Sequence, residues 1–172
     1  MITIDSVIGN IYRDKNLGKA YEDMLSKSLA ESVKINRMES QRVRMRKISN
    51  KGTDIALTLP SGTKLRHGDV LLQTSSQMIV IELEPENVIS LELKENMHDD
   101  DDVIQIPARI GHAIGNLHRP IKLQGRTIHF PIQAESEVEM FRKIFSPLKD
   151  HLEIKSMKMV FEPDEGMDVH EH

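Results

Sequence analysis

The sequence predicts an α+β chain in three parts: a small antiparallel β domain over residues 1–84, a ferredoxin-like βαββαβ domain over residues 85–160, and a mobile histidine-bearing tail over residues 161–172. Three observations lead there. Short strand patterns crowd together before residue 84 with turn signals and no strong helix between them; strand and helix patterns alternate after it; and the chain end "EPDEGMDVHEH" carries little that could be buried.

The first part is read from "SVKINRM", "RVRMRKI", "DIALTL", "DVLLQT" and "MIVIEL", which alternate or run apolar as half-buried and buried strands do. The turn signals "SNKGT", "PSGT", "RHGD" and "QTSSQ" separate them, and this close spacing reads as antiparallel pairing. Ahead of them, "LGKAYEDMLSKSLAES" has helical character but fits a loop as well.

The second part begins after "EPEN" at residues 84–87, where "VISLELK" reads as a strand. An acidic run then precedes Val103, Ile106, Ile110, Ala113, Ile114 and Leu117, which recur every three or four positions as one face of a helix. Pro107 interrupts this helix early or sits in its first turn. Gly115 and Asn116 tolerate the left-handed conformation that ends a helix, and Pro120 cannot continue it. Strands "IKLQ" and "TIHFPI" follow, then the helix "ESEVEMFRKIFS" and the strand "LEIKSMKMVF". That helix has acids at its start, Arg142 and Lys143 near its end as the helix dipole favours, and Val138, Phe141 and Phe145 on one face. The order strand, helix, strand, strand, helix, strand is that of the split βαββαβ unit.

Composition removes several function classes. In 172 residues, 38% hydrophobic content with no tryptophan suggests two modest cores, and 23 Lys and Arg against 27 Asp and Glu leave a formal charge of −4, too mixed to indicate a nucleic-acid or membrane partner. The absence of cysteine excludes a disulfide framework, a Cys-ligated zinc and a thiol nucleophile, so a metal would fall to imidazole, carboxylate or backbone. No apolar run approaches the roughly 18 residues of a membrane span. The start "MITIDSVIGNIYRDKN" lacks the basic-then-apolar order of a targeting segment, and a cytoplasmic location is expected. No His-Glu-x-x-His or Gly-x-Ser-x-Gly occurs, and "SGTKLRHGD" lacks phosphate-loop spacing, so an enzyme is not expected.

The chemistry then rests on eight histidines. His67, His98 and His151 fall in turns or at a strand start and read as solvated side chains. His112 and His118 are six apart, about 240° around a helix, and cannot close on one ion from a continuous helix. His112 reads as structural. His118 projects from the helix exit, where its cation answers the dipole or its imidazole meets a metal. His170 and His172 stand two apart in "VHEH"; in an extended chain they share one side, and they are either a solvated tail or an arm that completes a site with His118. His129, in "RTIHFPI", either faces outward or is a buried, hydrogen-bonded histidine, and is a candidate extra ligand.

"GHAIGNLHRP", the turn "LPSGTKLRHGDVLL" upstream, and "FEPDEGM" before the tail together resemble the UreE family of urease accessory proteins, which are nickel metallochaperones. The resemblance implies an amino-terminal peptide-binding-like domain and a homodimer, with dimers of dimers on metal a further option. In that homodimer His118 would meet its symmetry mate and bind Ni(II). It also implies His170 and His172, with His129 as a further candidate, as auxiliary ligands, and delivery to the urease apoprotein with other accessory proteins, including a GTPase. Leu117 stands where the family usually has arginine, with Arg119 following the histidine instead, and the tail is shorter than the long histidine-rich tails of many members.

Imidazole suits Ni(II), Cu(II) and Zn(II), and Ni(II) does not outcompete Cu(II) on raw affinity, so selectivity would come from geometry and supply. Zn(II) or Cu(II) in the same site stays open. One histidine per subunit at a two-fold axis leaves coordination positions free for ligand exchange, as release of a cargo requires. Because imidazole ligates when neutral, affinity is expected to fall below about pH 6.5. The reading from another class is an interaction module that takes extended peptides at the edges of its β domain, its histidines being incidental.

Overall fold

The computed structural model describes residues 1–95 and 100–167. The chain is mixed α and β, mostly β, and divides into two compact units, Met1–Glu84 and the chain from Pro85 onward.

The first unit contains β1 (Ile2–Ile4), β2 (Gly9–Asn10), α1 (Lys15–Ser26), β3 (Ala30–Ile35), β4 (Arg44–Ile48), β5 (Asp54–Thr58), β6 (Asp69–Gln73) and β7 (Met78–Leu83). They form two sheets, in the orders β1-β5-β4 and β2-β6-β7-β3. The expectation of a purely antiparallel domain is corrected here, because β1 runs parallel to β5 and β3 parallel to β7. The segment whose pattern fits helix and loop alike forms α1. It carries the chain over between β2 and β3, and such a crossover is what parallel placement needs. Asp14 caps α1 by accepting from the backbone N–H of Asn16 (2.8 Å) and Leu17 (3.2 Å). Leu17, Tyr21 and Met24, spaced by four and three, pack on the buried cluster of Ile11, Val70, Met78 and Val80. β1 and β2 have no counterpart in the sequence pattern, being three and two residues long, too short for a period to register.

The second unit contains β8 (Glu86–Leu93), α2 (Asp100–Asn116), β9 (Lys122–Gln124), β10 (Thr127–Pro131), α3 (Glu137–Ile144) and β11 (Leu152–Met159). The strands form one sheet in the order β11-β8-β10-β9, every neighbour antiparallel. Ile106, Ile110 and Ile114 form the buried stripe of α2, and Val138 and Phe141 of α3, with Phe145 just past its end, form another; both pack on Ile89, Leu91, Ile128, Phe130 and Leu152 of the sheet. Phe141 sits at the centre, edge-on to Phe130 at 4.7 Å and stacked with Phe145 at 6.2 Å. Pro107 neither interrupts α2 early nor lies in its first turn: it falls mid-helix. The isoleucine stripe on either side of it is held by the core, which offsets the backbone bond that proline cannot donate to Val103.

Residues 161–167, expected in the mobile tail, are held in place. Phe161 is 1% exposed. The backbone N–H of Asp164 donates to the carbonyl of Ile121 (3.1 Å), that of Ile121 to Met167 (3.3 Å), and the Asp164 carboxylate accepts from Leu123 N–H (2.7 Å). The chain therefore leaves β11 at one edge of the sheet and is fastened beside β9 at the other.

Candidate metal centre

The exit of α2 builds the best-formed candidate. His118 N–H donates to the carbonyl of Gly115 (3.0 Å) and Arg119 N–H to that of Ile114 (3.4 Å), the paired bonds of a Schellman ending. The sequence places the left-handed residue of that ending at Gly115 or Asn116. Both stay helical, and His118 itself takes the position, with φ of 51°. Histidine tolerates this region better than most residues, yet the conformation still costs roughly 1–2 kcal/mol. Its side chain is exposed, while Pro120 two residues on is buried.

Arg119, whose part the sequence leaves open, turns inward. Its Nη2 lies 2.9 Å from Glu137 Oε1, with the two side chains 17% and 18% exposed. Glu137 Oε2 accepts from the backbone N–H of Gln133 (3.0 Å), so one carboxylate ties the His118 turn to the loop entering α3. The acidic first turn of α3 is visible in the sequence; its arginine partner is not.

His129 takes the buried branch of the two alternatives. It lies on β10 directly opposite Ser90 of β8, is 8% exposed, and its Nδ1 is 2.7 Å from Ser90 Oγ. It alternates with Ile128 and Phe130, so it lies on the sheet face away from the helices. Burial, and then the positive charge of Lys122, lower its pKa below the ordinary histidine value and favour the neutral ring. His112 is exposed on α2, its Nε2 3.0 Å from Nδ2 of Asn116 one turn later. His67 stacks on Tyr12 at 5.4 Å and accepts the N–H of Leu83 at Nδ1 (3.0 Å), a structural engagement rather than a solvated one. His98, His170 and His172 lie outside the described residues. Among the described residues, no three His, Asp or Glu side chains are grouped to hold an ion, and no helix is long and apolar enough to cross a membrane.

The geometry therefore presents one exposed imidazole on a strained, firmly anchored turn, and anchors the chain end beside it. Residues 4–84 match the family model described as UreE urease accessory protein, N-terminal domain. Relatives named urease accessory protein UreE align with the chain well beyond those residues in length. One from Yersinia enterocolitica is 25% identical over 135 residues, covering 77% of this chain and 57% of its own length. Residues 4–84 are thus those of a UreE amino-terminal domain, and the chain as a whole is similar to the UreE urease accessory proteins. A UreE protein of Natronomonas pharaonis is 26% identical over 78% of this chain and 61% of its own. A protein named UreE 1 from Pseudomonas syringae is 24% identical over 87% of this chain and 96% of its own. The alignment thus spans less than two thirds of the length of the first two relatives. Both of these relatives are named as accessory proteins of urease.

Proposed function

We propose that this chain is a nickel-binding metallochaperone that delivers Ni(II) for assembly of the urease active site, holding the ion at a homodimer contact through His118 of each subunit. The observation that carries the reading is the placement of His118: exposed, off the end of α2, in a left-handed conformation that nothing in the packing of α2 requires of a histidine. Two imidazoles related by a two-fold axis supply two ligands and leave positions open for an acceptor.

The tail supports the same reading. Ile121 is three residues past His118, and its backbone N–H donates to the carbonyl of Met167, which holds residues 161–167 on that side of the sheet. His170 and His172, which lie outside the described residues, are carried here as auxiliary ligands to the same ion. His129 is a weaker candidate, since Ser90 engages Nδ1 and leaves Nε2 for an ion. Zn(II) or Cu(II) can occupy the same imidazoles.

In this reading the second unit is ferredoxin-like, its sheet order and two helices supporting that assignment, and the first is peptide-binding-like. The partners are the urease apoprotein and the other accessory proteins, including the GTPase, in the cytoplasm. A simple interaction module is the other reading, favoured by β4, an edge strand with Arg44 and Ile48 exposed. Equilibrium dialysis of the full chain with Ni(II) separates them. A metallochaperone takes up about one tight ion or more per dimer, His118→Ala abolishes the tightest site, and deletion of residues 169–172 weakens binding without removing it. Parent-like binding by both variants overturns the ligand assignment.

A further inference from the structure

We infer that Glu137, acting through Arg119, is a positioning residue for His118; the inference rests on the metal-binding reading above and adds a residue on a different helix to it. Glu137 lies in the first turn of α3 and does not itself face an ion. Its two carboxylate oxygens engage different partners, Oε1 accepting from Arg119 Nη2 at 2.9 Å and Oε2 from the Gln133 backbone N–H at 3.0 Å. Both partners of the ion pair are more than four-fifths buried, so salt and water screen it far less than a surface pair.

The turn needs such a hold. His118 is in a conformation that disfavours a side-chain-bearing residue, and the backbone bonds that close the turn include a long one, 3.4 Å from Arg119 N–H to Ile114. Upstream, the buried Ile114 anchors the helix; downstream, the buried Pro120 anchors the exit. Between them, Arg119 is the residue adjoining His118, and its side chain is fixed at the guanidinium by Glu137. Arg119 Nε is buried without a hydrogen-bond partner among the described residues, so Glu137 carries this guanidinium with little redundancy. Remove the anion and a mostly buried cation is left to seek water, dragging the turn with it. Ligand residues held by such outer partners commonly lose 10–100-fold in metal affinity when the partner is changed.

The test compares Glu137→Gln with Glu139→Gln in the full-length protein. Glu139 shares the first turn of α3 but its side chain is 73% exposed, and it controls for loss of charge near the helix start. Glutamine has one acceptor oxygen in place of two, so Glu137→Gln gives up one tether and the neutralising charge. Ni(II) titration under conditions where circular dichroism shows each variant folded is expected to give a tightest site weakened by about 10-fold or more for Glu137→Gln and unchanged for Glu139→Gln. The His118 ring resonances of the metal-free protein should broaden or shift in Glu137→Gln and stay in place in Glu139→Gln, a readout that a global stability effect does not move. Should Glu137→Gln fail to fold, Glu137→Asp, which keeps the charge and shortens the reach, carries the same comparison. Parent-like affinity in the folded Glu137 variant, or equal weakening in Glu139→Gln, overturns the inference while leaving His118 as a ligand. Parent-like binding by His118→Ala instead removes the reading beneath it.

Discussion

Ser90 Oγ sits 2.7 Å from Nδ1 of His129 across a directly paired position of β8 and β10, which places a titratable ring in a nearly closed site. Burial, with Lys122 adding to it, lowers the folded-state pKa of that ring. An unfolded histidine titrates near about 6.5, so between the two values the unfolded chain binds more protons. The stability contributed by the neutral ring is therefore complete above about pH 6.5 and is lost as pH falls through the folded value. The urea midpoint of the parent should drop between pH 7.5 and 5.5 by more than that of His129→Gln. Identical pH dependence in the two proteins contradicts this account.

His118 should trade stability for function. His118→Gly relieves a left-handed strain of roughly 1–2 kcal/mol but adds flexibility to the unfolded chain, for a net gain of up to about 1 kcal/mol. His118→Val, β-branched at the same φ, should lose about 1 kcal/mol or more. Urea denaturation measures both, and a glycine variant clearly less stable than the parent argues that the imidazole is held by contacts the turn geometry does not reveal.

Gly68 should resist substitution. Its φ is 85°, and a Cβ there would come 2.5 Å from Cδ2 of Tyr12, the ring stacked on His67. Gly68→Ala combines a disfavoured backbone with displacement of that ring, an expected loss of about 2 kcal/mol. Denaturation of the full chain, followed by tyrosine fluorescence, reads it directly.

Ile110 is fully buried at the centre of the α2 stripe, between Ile106 and Ile114. Ile110→Ala leaves a cavity under the helix that presents His118 and should cost about 2–5 kcal/mol. A loss below about 1 kcal/mol, smaller than a cavity of this kind produces, would place α2 outside the cooperative core of its unit.

Asp164 fastens the chain end through its bond to Leu123 N–H. Asp164→Ala removes a charge-assisted hydrogen bond of about 1.5–3 kcal/mol from a short segment and should open it locally. Cleavage after Glu165 by a glutamate-specific protease is expected to accelerate, with the urea midpoint of the fold nearly unchanged. Equal cleavage rates would show that Phe161 and the backbone bonds hold the segment without the carboxylate.

Much of this protein was determined by residue order alone. Ile106, Ile110 and Ile114 of α2 recur at the helical period, as do Val138, Phe141 and Phe145 along and just past α3, and both stripes are buried, whereas Val103 and Leu117, at the two ends of the α2 face that the spacing marks, are exposed. The glycine, asparagine and proline around residue 118 likewise placed a helix end and an exposed histidine there. Tertiary structure decided the rest: the parallel placement of β1 beside β5 and of β3 beside β7, the burial of His129 opposite Ser90, the pairing of Arg119 with Glu137, and the return of the chain end to Ile121. The shortest of these links, from Arg119 to Glu137, already spans 18 residues, and the others reach further along the chain. Periodicity describes a segment's own faces and contains nothing about which distant segment will lie against them; that choice is made by the total burial and hydrogen bonding of the folded chain, set against the entropy of closing each loop.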